Sequence, residues 1–148
     1  MANFEKITVW HILIALVLFT FIVLIVDHDR ALRSVSSNEI DDCLIELDSE
    51  NFSNNMSSSP LSFVLFYVDD FTWCDVMMAN LSHLAKDEDY GAGYYKVNLD
   101  KYPEFDLKYN ISGTPNILIF SSGIEIKRIM GVVSASNLKK IYYKVNKD

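Results

Sequence analysis

The stretch from Phe63 to Leu84, FVLFYVDDFTWCDVMMANLSHL, constrains the fold more than any other part of the chain. Phe63 to Val68 is an unbroken apolar run, the pattern of a strand buried on both faces, because a strand with one wet face alternates apolar and polar positions. Asp69 and Asp70 end the run. Beyond them Met77, Met78, Leu81, Leu84 and Ala85 recur at helical spacing, which predicts a helix over about Cys74 to Lys86 with one face against a core. Trp73 and Cys74 fall where that helix begins, so the Cys74 thiol stands where unpaired backbone N–H groups and the macrodipole favour an anion. Reactive cysteines are commonly built in this position.

The chain has 148 residues, enough for one ordinary domain and a short extra element. Its net charge of -7 and pI near 4.8 exclude nucleic acid as the natural partner, because phosphate binding needs clustered Lys and Arg. Half of the residues are hydrophobic and the mean hydropathy is +0.12, an excess that one segment explains. Ile7 to Val26, ITVWHILIALVLFTFIVLIV, carries no acid, Lys or Arg and at about 1.5 Å per residue reaches roughly 30 Å, a hydrocarbon-core thickness. A cleaved signal peptide usually has a shorter apolar region ending in small residues, whereas this run meets Asp27-His28-Asp29-Arg30, so a single uncleaved transmembrane anchor is expected. Trp10 suits an interfacial aromatic. Lys6 and the terminal amine on one side nearly balance Arg30 and Arg33 on the other, and the orientation stays open.

The expected organisation is a tail over 1–6, the anchor over 7–26, a polar linker over 27–41 and a globular domain over 42–148. In the domain Leu44 to Leu47 reads as a short strand, with Asp48 capping a helix around Ser49 to Met56 that Ser57-Ser58-Ser59-Pro60 ends. After the central strand and helix, Gly91 and Gly93 close the unit, and Tyr94 to Leu99 makes another strand. Pro103 opens a short helix to Tyr109, as proline favours the first turn. Asn116 to Phe120 and Ile124 to Met130 form a hairpin across Ser122-Gly123, the second strand mixing charge with apolar residues as an edge does. Ser134 starts a last helix with Leu138, Ile141, Tyr142 and Val145 on one face. The order is βαβαβα, then ββα, an α/β domain.

A strand, Trp73-Cys74 directly before a helix, and YYKVNLDKYPEFDLKYNISGTPNILIF from Tyr94 to Phe120 together resemble the thioredoxin family, from Cys43 to the end of the chain. The resemblance implies a mixed five-stranded sheet flanked by helices, with Pro115 as a cis-proline facing the active site and Thr114 offering its backbone to an extended substrate beside Trp73. It implies Cys74 as the catalytic thiol, protein thiols, disulfides or extended peptides as partners, and neither cofactor nor metal. Tethered members of the family place the domain outside the cytosol, in a periplasm or lumen, and this analogy suggests the same here.

The departures from the family matter equally. Its redox motif is Cys-x-x-Cys, but this chain reads Cys74-Asp75-Val76-Met77, and a thioether cannot form a disulfide. The acid that the family buries in the preceding strand falls on Leu65, so both parts of the second, resolving step are missing. Ser82 stands where a helix-kinking proline is common. Cys43 and Cys74 lie at opposite sheet edges, separated by more than roughly 15 Å, too far for a bridge. Cys43 is then a packing residue or an intermolecular partner. Asp75, Asp69 and Asp70 oppose a Cys74 thiolate while the helix terminus favours it, and the balance predicts a modestly lowered pKa. Two functions from different classes follow: monothiol exchange, with the mixed disulfide released by an external thiol, or a redox-inactive module that binds peptide in the groove. A Cu(I) site from Cys74, Met77, Met78 and His83 is disfavoured because Cys74, Met78 and His83 do not share a helix face. Four Asn-x-Ser sequons begin at Asn51, Asn55, Asn80 and Asn110.

Overall fold

A computed structural model of the chain describes residues 10–11, 13–24, 43–87 and 91–147. The chain divides into two compact units, Met1–Glu39 and Ile40–Asp148. In the first, residues 10, 11 and 13–24 are helical and their side chains are exposed, apolar ones included. The Thr20 hydroxyl donates to the Val17 carbonyl at 2.9 Å, so this polar group is satisfied within the helix. Among the described residues no helix is long and apolar enough to cross a membrane. The tail 1–6, both ends of the expected span (7–9 and 25–26) and the linker 27–41 lie outside the described residues.

The second unit runs β1 (Ile45–Glu46), α1 (Phe52–Ser58), β2 (Leu61–Tyr67), α2 (Thr72–Asp87), β3 (Ala92–Asn98), α3 (Glu104–Tyr109), β4 (Asn116–Ser121), β5 (Ile124–Met130) and α4 (Ala135–Val145). The strands form one mixed sheet in the order β1-β3-β2-β4-β5. β1, β3 and β2 are parallel, whereas β4 and β5 pair antiparallel. This is the expected five-stranded α/β sheet.

β2 is central and all seven of its residues are buried, as the unbroken apolar run requires. Because side chains alternate along a strand, Phe63, Leu65 and Tyr67 face one core with Met77, Leu81 and Leu84 of α2 and Leu138 and Tyr142 of α4. Val64 and Phe66 face the other, with Phe52 and Met56 of α1 and Phe105 of α3. Phe52 lies 5.0 Å, centroid to centroid, from both Phe105 and Tyr109, and such pairs add about 0.5–1.5 kcal/mol beyond area burial.

Several boundaries differ from the sequence reading for local reasons. The Asp48 carboxylate accepts the N–H groups of Glu50 and Asn51, at 2.9 and 2.8 Å, which builds a turn instead of a helix start, and α1 begins only at Phe52. α1 then continues to Ser58, where the Ser57 and Ser58 hydroxyls donate back to the Ser53 and Asn54 carbonyls. Gly93 is not in the closing turn but inside β3. The Tyr95 ring lies over it, and a Cβ at Gly93 would fall within that ring. Gly91, with φ 54°, makes the turn itself. β5 keeps the expected bounds and the edge position, with an irregularity opposite Ile119 and Phe120 that leaves Ile126 exposed.

The two cores make a testable contrast. Phe66→Ala should lower the unfolding free energy by about 3–5 kcal/mol, whereas Leu107→Ala, at a position 89% exposed, should change it by less than about 0.5 kcal/mol in the same urea titration. Equal losses would show that the packing assigned to Phe66 is wrong.

Candidate functional site

The carboxyl end of β2 delivers the chain to Val68 and the acidic loop. That loop is tied down: the Asp69 N–H donates to the Asp100 carboxylate at 2.7 Å, and the Asn98 carboxamide donates to Asp69 Oδ1 at 3.0 Å. Asn98 Oδ1 in turn accepts the Asp100 N–H at 2.9 Å, so the loop is tied to the end of β3. Asp70 takes a left-handed conformation with φ 54°, and the Phe71 carbonyl accepts the Cys74 N–H at 2.7 Å. α2 therefore begins at Thr72, and Cys74 lies inside its first turn, not at its first residue.

Three loops meet around the thiol. The Thr114–Pro115 bond is cis, as the resemblance implied. The Gly131 N–H donates to the Pro115 carbonyl at 2.9 Å, fixing the segment after β5 beside it. The Val133 N–H points at Met77 Sδ, 3.3 Å away, and the Asn80 carboxamide donates to the Val133 carbonyl at 3.1 Å. Met77, at the place of the family's second cysteine, is thus fully buried and holds this third loop through its sulfur. Trp73 is 58% exposed, and Phe71, Val76 and Val132 also leave apolar surface in solvent around the site.

Cys74 itself has no exposed surface and packs in one core with Leu65 and Met77. Its pKa is raised above the ordinary thiol value. Burial is the largest cause; hydrogen bonding from the Val68 backbone and the Thr114 side chain pulls the other way, and the Asp75 and Asp100 carboxylates add to the rise. The expected lowering is therefore corrected. The sulfur sits in one core with Leu65 and Met77, and desolvation outweighs the hydrogen bonds that favour the thiolate. Tyr67, at the end of β2, is pushed up to about 12, first by burial and next by Glu46.

Cys43 and Cys74 are both free thiols, Cys43 half-buried beside β1. Of the residues considered for Cu(I), Cys74 and Met77 are buried, Met78 is half-buried and His83 is exposed. Sequence reasoning missed Asn98, Asp100 and Val133. Asn98 carried a signal, since an Asn that ends an apolar strand just before Leu99-Asp100 is suited to capping a turn. The backbone of Val133 carried none, because its role depends on how the loop after β5 folds back.

Phosducin-like protein 3 from Dictyostelium discoideum is 33% identical over 88 residues, 60% of this chain and 47% of that protein. Bloodstream-specific protein 2 from Trypanosoma brucei brucei is 28% identical over 102 residues, 69% of this chain and 20% of that protein. The chain thus spans less than half the length of these two relatives. The thioredoxin of Staphylococcus saprophyticus is 25% identical over 104 residues, 68% of this chain and 96% of that protein. A mutant thioredoxin from Halobacterium salinarum superposes with a TM-score of 0.61 at 19% identity, over 66% of this chain and 85% of that one, which shows a shared fold. The sequence model of the family named thioredoxin matches residues 43–144, all five strands and all but the last residue of α4, and the chain belongs to the thioredoxin family.

Proposed function

We propose that the chain is a membrane-anchored thioredoxin-family protein that exchanges disulfides through one thiol, Cys74. The observation that carries this reading is the pairing of Cys74 with the Thr114–Pro115 segment across the end of the sheet, while Met77 and Leu65 fill the places of the resolving thiol and its buried acid. The thiolate attacks a substrate disulfide and one half leaves as a thiolate. The mixed disulfide then waits for an external thiol, because no second sulfur on α2 can displace it. Trp73, Thr114 and Pro115 are assigned to substrate binding, with exposed apolar surface at Trp73 and Val132 to receive an extended chain. The raised pKa makes this a slow thiol that relies on the bound partner for proximity.

The anchor is proposed at 7–26, supported by the length of the apolar run and by the exposed apolar side chains of the described helical residues. By analogy with tethered relatives the domain is assigned to the non-cytosolic side, periplasmic or lumenal.

A second reading has its own support. Cys74 shows no surface to solvent, and 33% identity links the chain to a phosducin-like protein, so a module that binds a protein partner without turnover is the competing function. Mild oxidation of intact membranes followed by non-reducing gels separates the two. Adducts of the wild-type chain should vanish with Cys74→Ser and persist with Cys43→Ser. If no adduct depends on Cys74, exchange is lost as the function and partner binding takes its place.

Two further outcomes follow from the same site. In a Cys43→Ser background, the alkylation rate of the folded chain should titrate above the roughly 8.5 of a free thiol and above the value of the urea-unfolded chain. Since the folded pKa is the raised one, Cys74 contributes stability below the unfolded pKa that is lost as pH rises through the folded value. A folded midpoint below the unfolded one would sink this account. Met77→Cys should form an internal disulfide on oxidation and make adducts transient, read by mass spectrometry. It should also cost about 1–3 kcal/mol, because the thioether that fills the core and meets the Val133 N–H is cut back.

A further inference from the structure

The domain carries four Asn-x-Ser sequons, and the fold places their acceptor amides in two different situations. Asn51, Asn55 and Asn80 are half-buried and engaged. Asn51 Oδ1 accepts the Asp48 N–H at 2.9 Å and Asn55 Nδ2 donates to the Asn51 carbonyl at 2.9 Å, so both brace the turn that opens α1. Asn80 Nδ2 donates to the Val133 carbonyl at 3.1 Å, and Ser82, the hydroxyl residue of that sequon, is buried. Asn110 differs. Its backbone is pinned: it caps α3 in the left-handed conformation with φ 50°, its N–H donates to the Asp106 carbonyl, and its carbonyl accepts Arg128 Nη1 at 2.7 Å. Its side chain is exposed, and among the described residues no hydrogen bond holds the carboxamide. Ser112 is exposed as well, with its Oγ 4.0 Å from Met130 Sδ. Met130 and Leu107, the latter three residues before Asn110, both leave apolar surface in solvent.

We propose that Asn110 is an N-glycosylation site, occupied in a eukaryotic secretory lumen, and that Asn51, Asn55 and Asn80 stay unmodified in the folded chain. This rests on the non-cytosolic assignment above and takes its lumenal form. The co-substrate is a lipid-pyrophosphate-linked oligosaccharide. Asn110 Nδ2 forms a bond to the anomeric carbon, the bond from that carbon to the pyrophosphate oxygen breaks, and the lipid pyrophosphate leaves with the electron pair. Nδ2 gives up one proton, and nothing is oxidised or reduced. The Ser112 hydroxyl is the second recognition element of the acceptor. A glycan is bulky and hydrated, so a folded domain tolerates it where the acceptor amide already faces water. At Asn110 the sugar extends a side chain that holds no other element, while the pinned backbone keeps the cap. At Asn80 it would displace the Val133 segment from Met77, and at Asn51 or Asn55 it would open the turn before α1. The sugar at Asn110 also covers Leu107 and Met130, apolar side chains that the domain itself leaves in solvent.

The test expresses the full chain in cultured eukaryotic cells, with a flexible extension after Asp148 that carries an Asn-Gly-Thr reporter, and extracts the folded fraction in mild detergent. Peptide N-glycanase releases each glycan and converts its Asn to Asp, which mass spectrometry locates. Asn110 should be converted together with the reporter, and Asn51, Asn55 and Asn80 should not. Asn110→Gln and Ser112→Ala should each remove one glycanase-sensitive step in gel mobility, whereas Ser112→Thr should keep it. Because Ser112→Ala leaves the left-handed cap residue in place, loss of the step does not depend on a change in fold. A glycosylated reporter beside an unmodified Asn110 overturns the site and leaves the lumenal placement standing. If neither is modified, the lumenal placement itself falls, and the site with it. A step that survives both Asn110→Gln and Ser112→Ala, or a glycan on Asn80 of the folded chain, overturns the assignment of the acceptor.

Discussion

Everything in the globular unit depends on β2 being buried on both faces. With no wet side, the strand must lie between two sheet neighbours and under helices on either face, and it pairs with β3 in parallel and β4 antiparallel. Its alternating side chains then divide the interior: Phe63 and Leu65 anchor α2 and α4, and Val64 and Phe66 anchor α1 and α3. The carboxyl end of the strand delivers the acidic loop and the first turn of α2 to the end of the sheet, where the loop before β4 and the loop after β5 also arrive. The site is a consequence of where that one strand ends.

The same burial explains the altered chemistry. Leu65 and Met77 lie in one core with Cys74, and among the described residues of that core there is no carboxylate and no second thiol. An acid at position 65 facing a methionine would be a desolvated charge without a partner, a cost of several kcal/mol. Leucine therefore suits the methionine in a way that the family's acid would not. The substitution turns a catalytic interior into a packing interior, and the Val133 N–H contact uses Met77 to set the loop that flanks the substrate groove.

Much of this was legible in the residues. The apolar run announced β2, the helical spacing of Met77, Leu81 and Leu84 announced the inner face of α2, and the alternation from Ile124 to Met130 gave β5 at its observed bounds. The Gly113-Thr114-Pro115 segment pointed to the cis bond. What sequence could not show were effects that arise from tertiary placement. Gly93 looked like turn punctuation, but a tyrosine two residues on folds over it. Asp48 looked like a helix cap, but its carboxylate closes a turn three residues early. The sign of the Cys74 shift went the other way because a helix terminus is visible in a sequence and the depth of a sulfur is not.

The central claim is that a mixed disulfide on Cys74 has no internal way out. It is tested most directly by preparing that mixed disulfide on the full chain and measuring its release against the concentration of an external thiol. The account predicts a rate proportional to thiol concentration with an intercept of zero, since Met77 cannot attack and Cys43 cannot reach. A release rate that stays finite as the external thiol is removed would contradict it, and would mean that a sulfur within the chain resolves the bond.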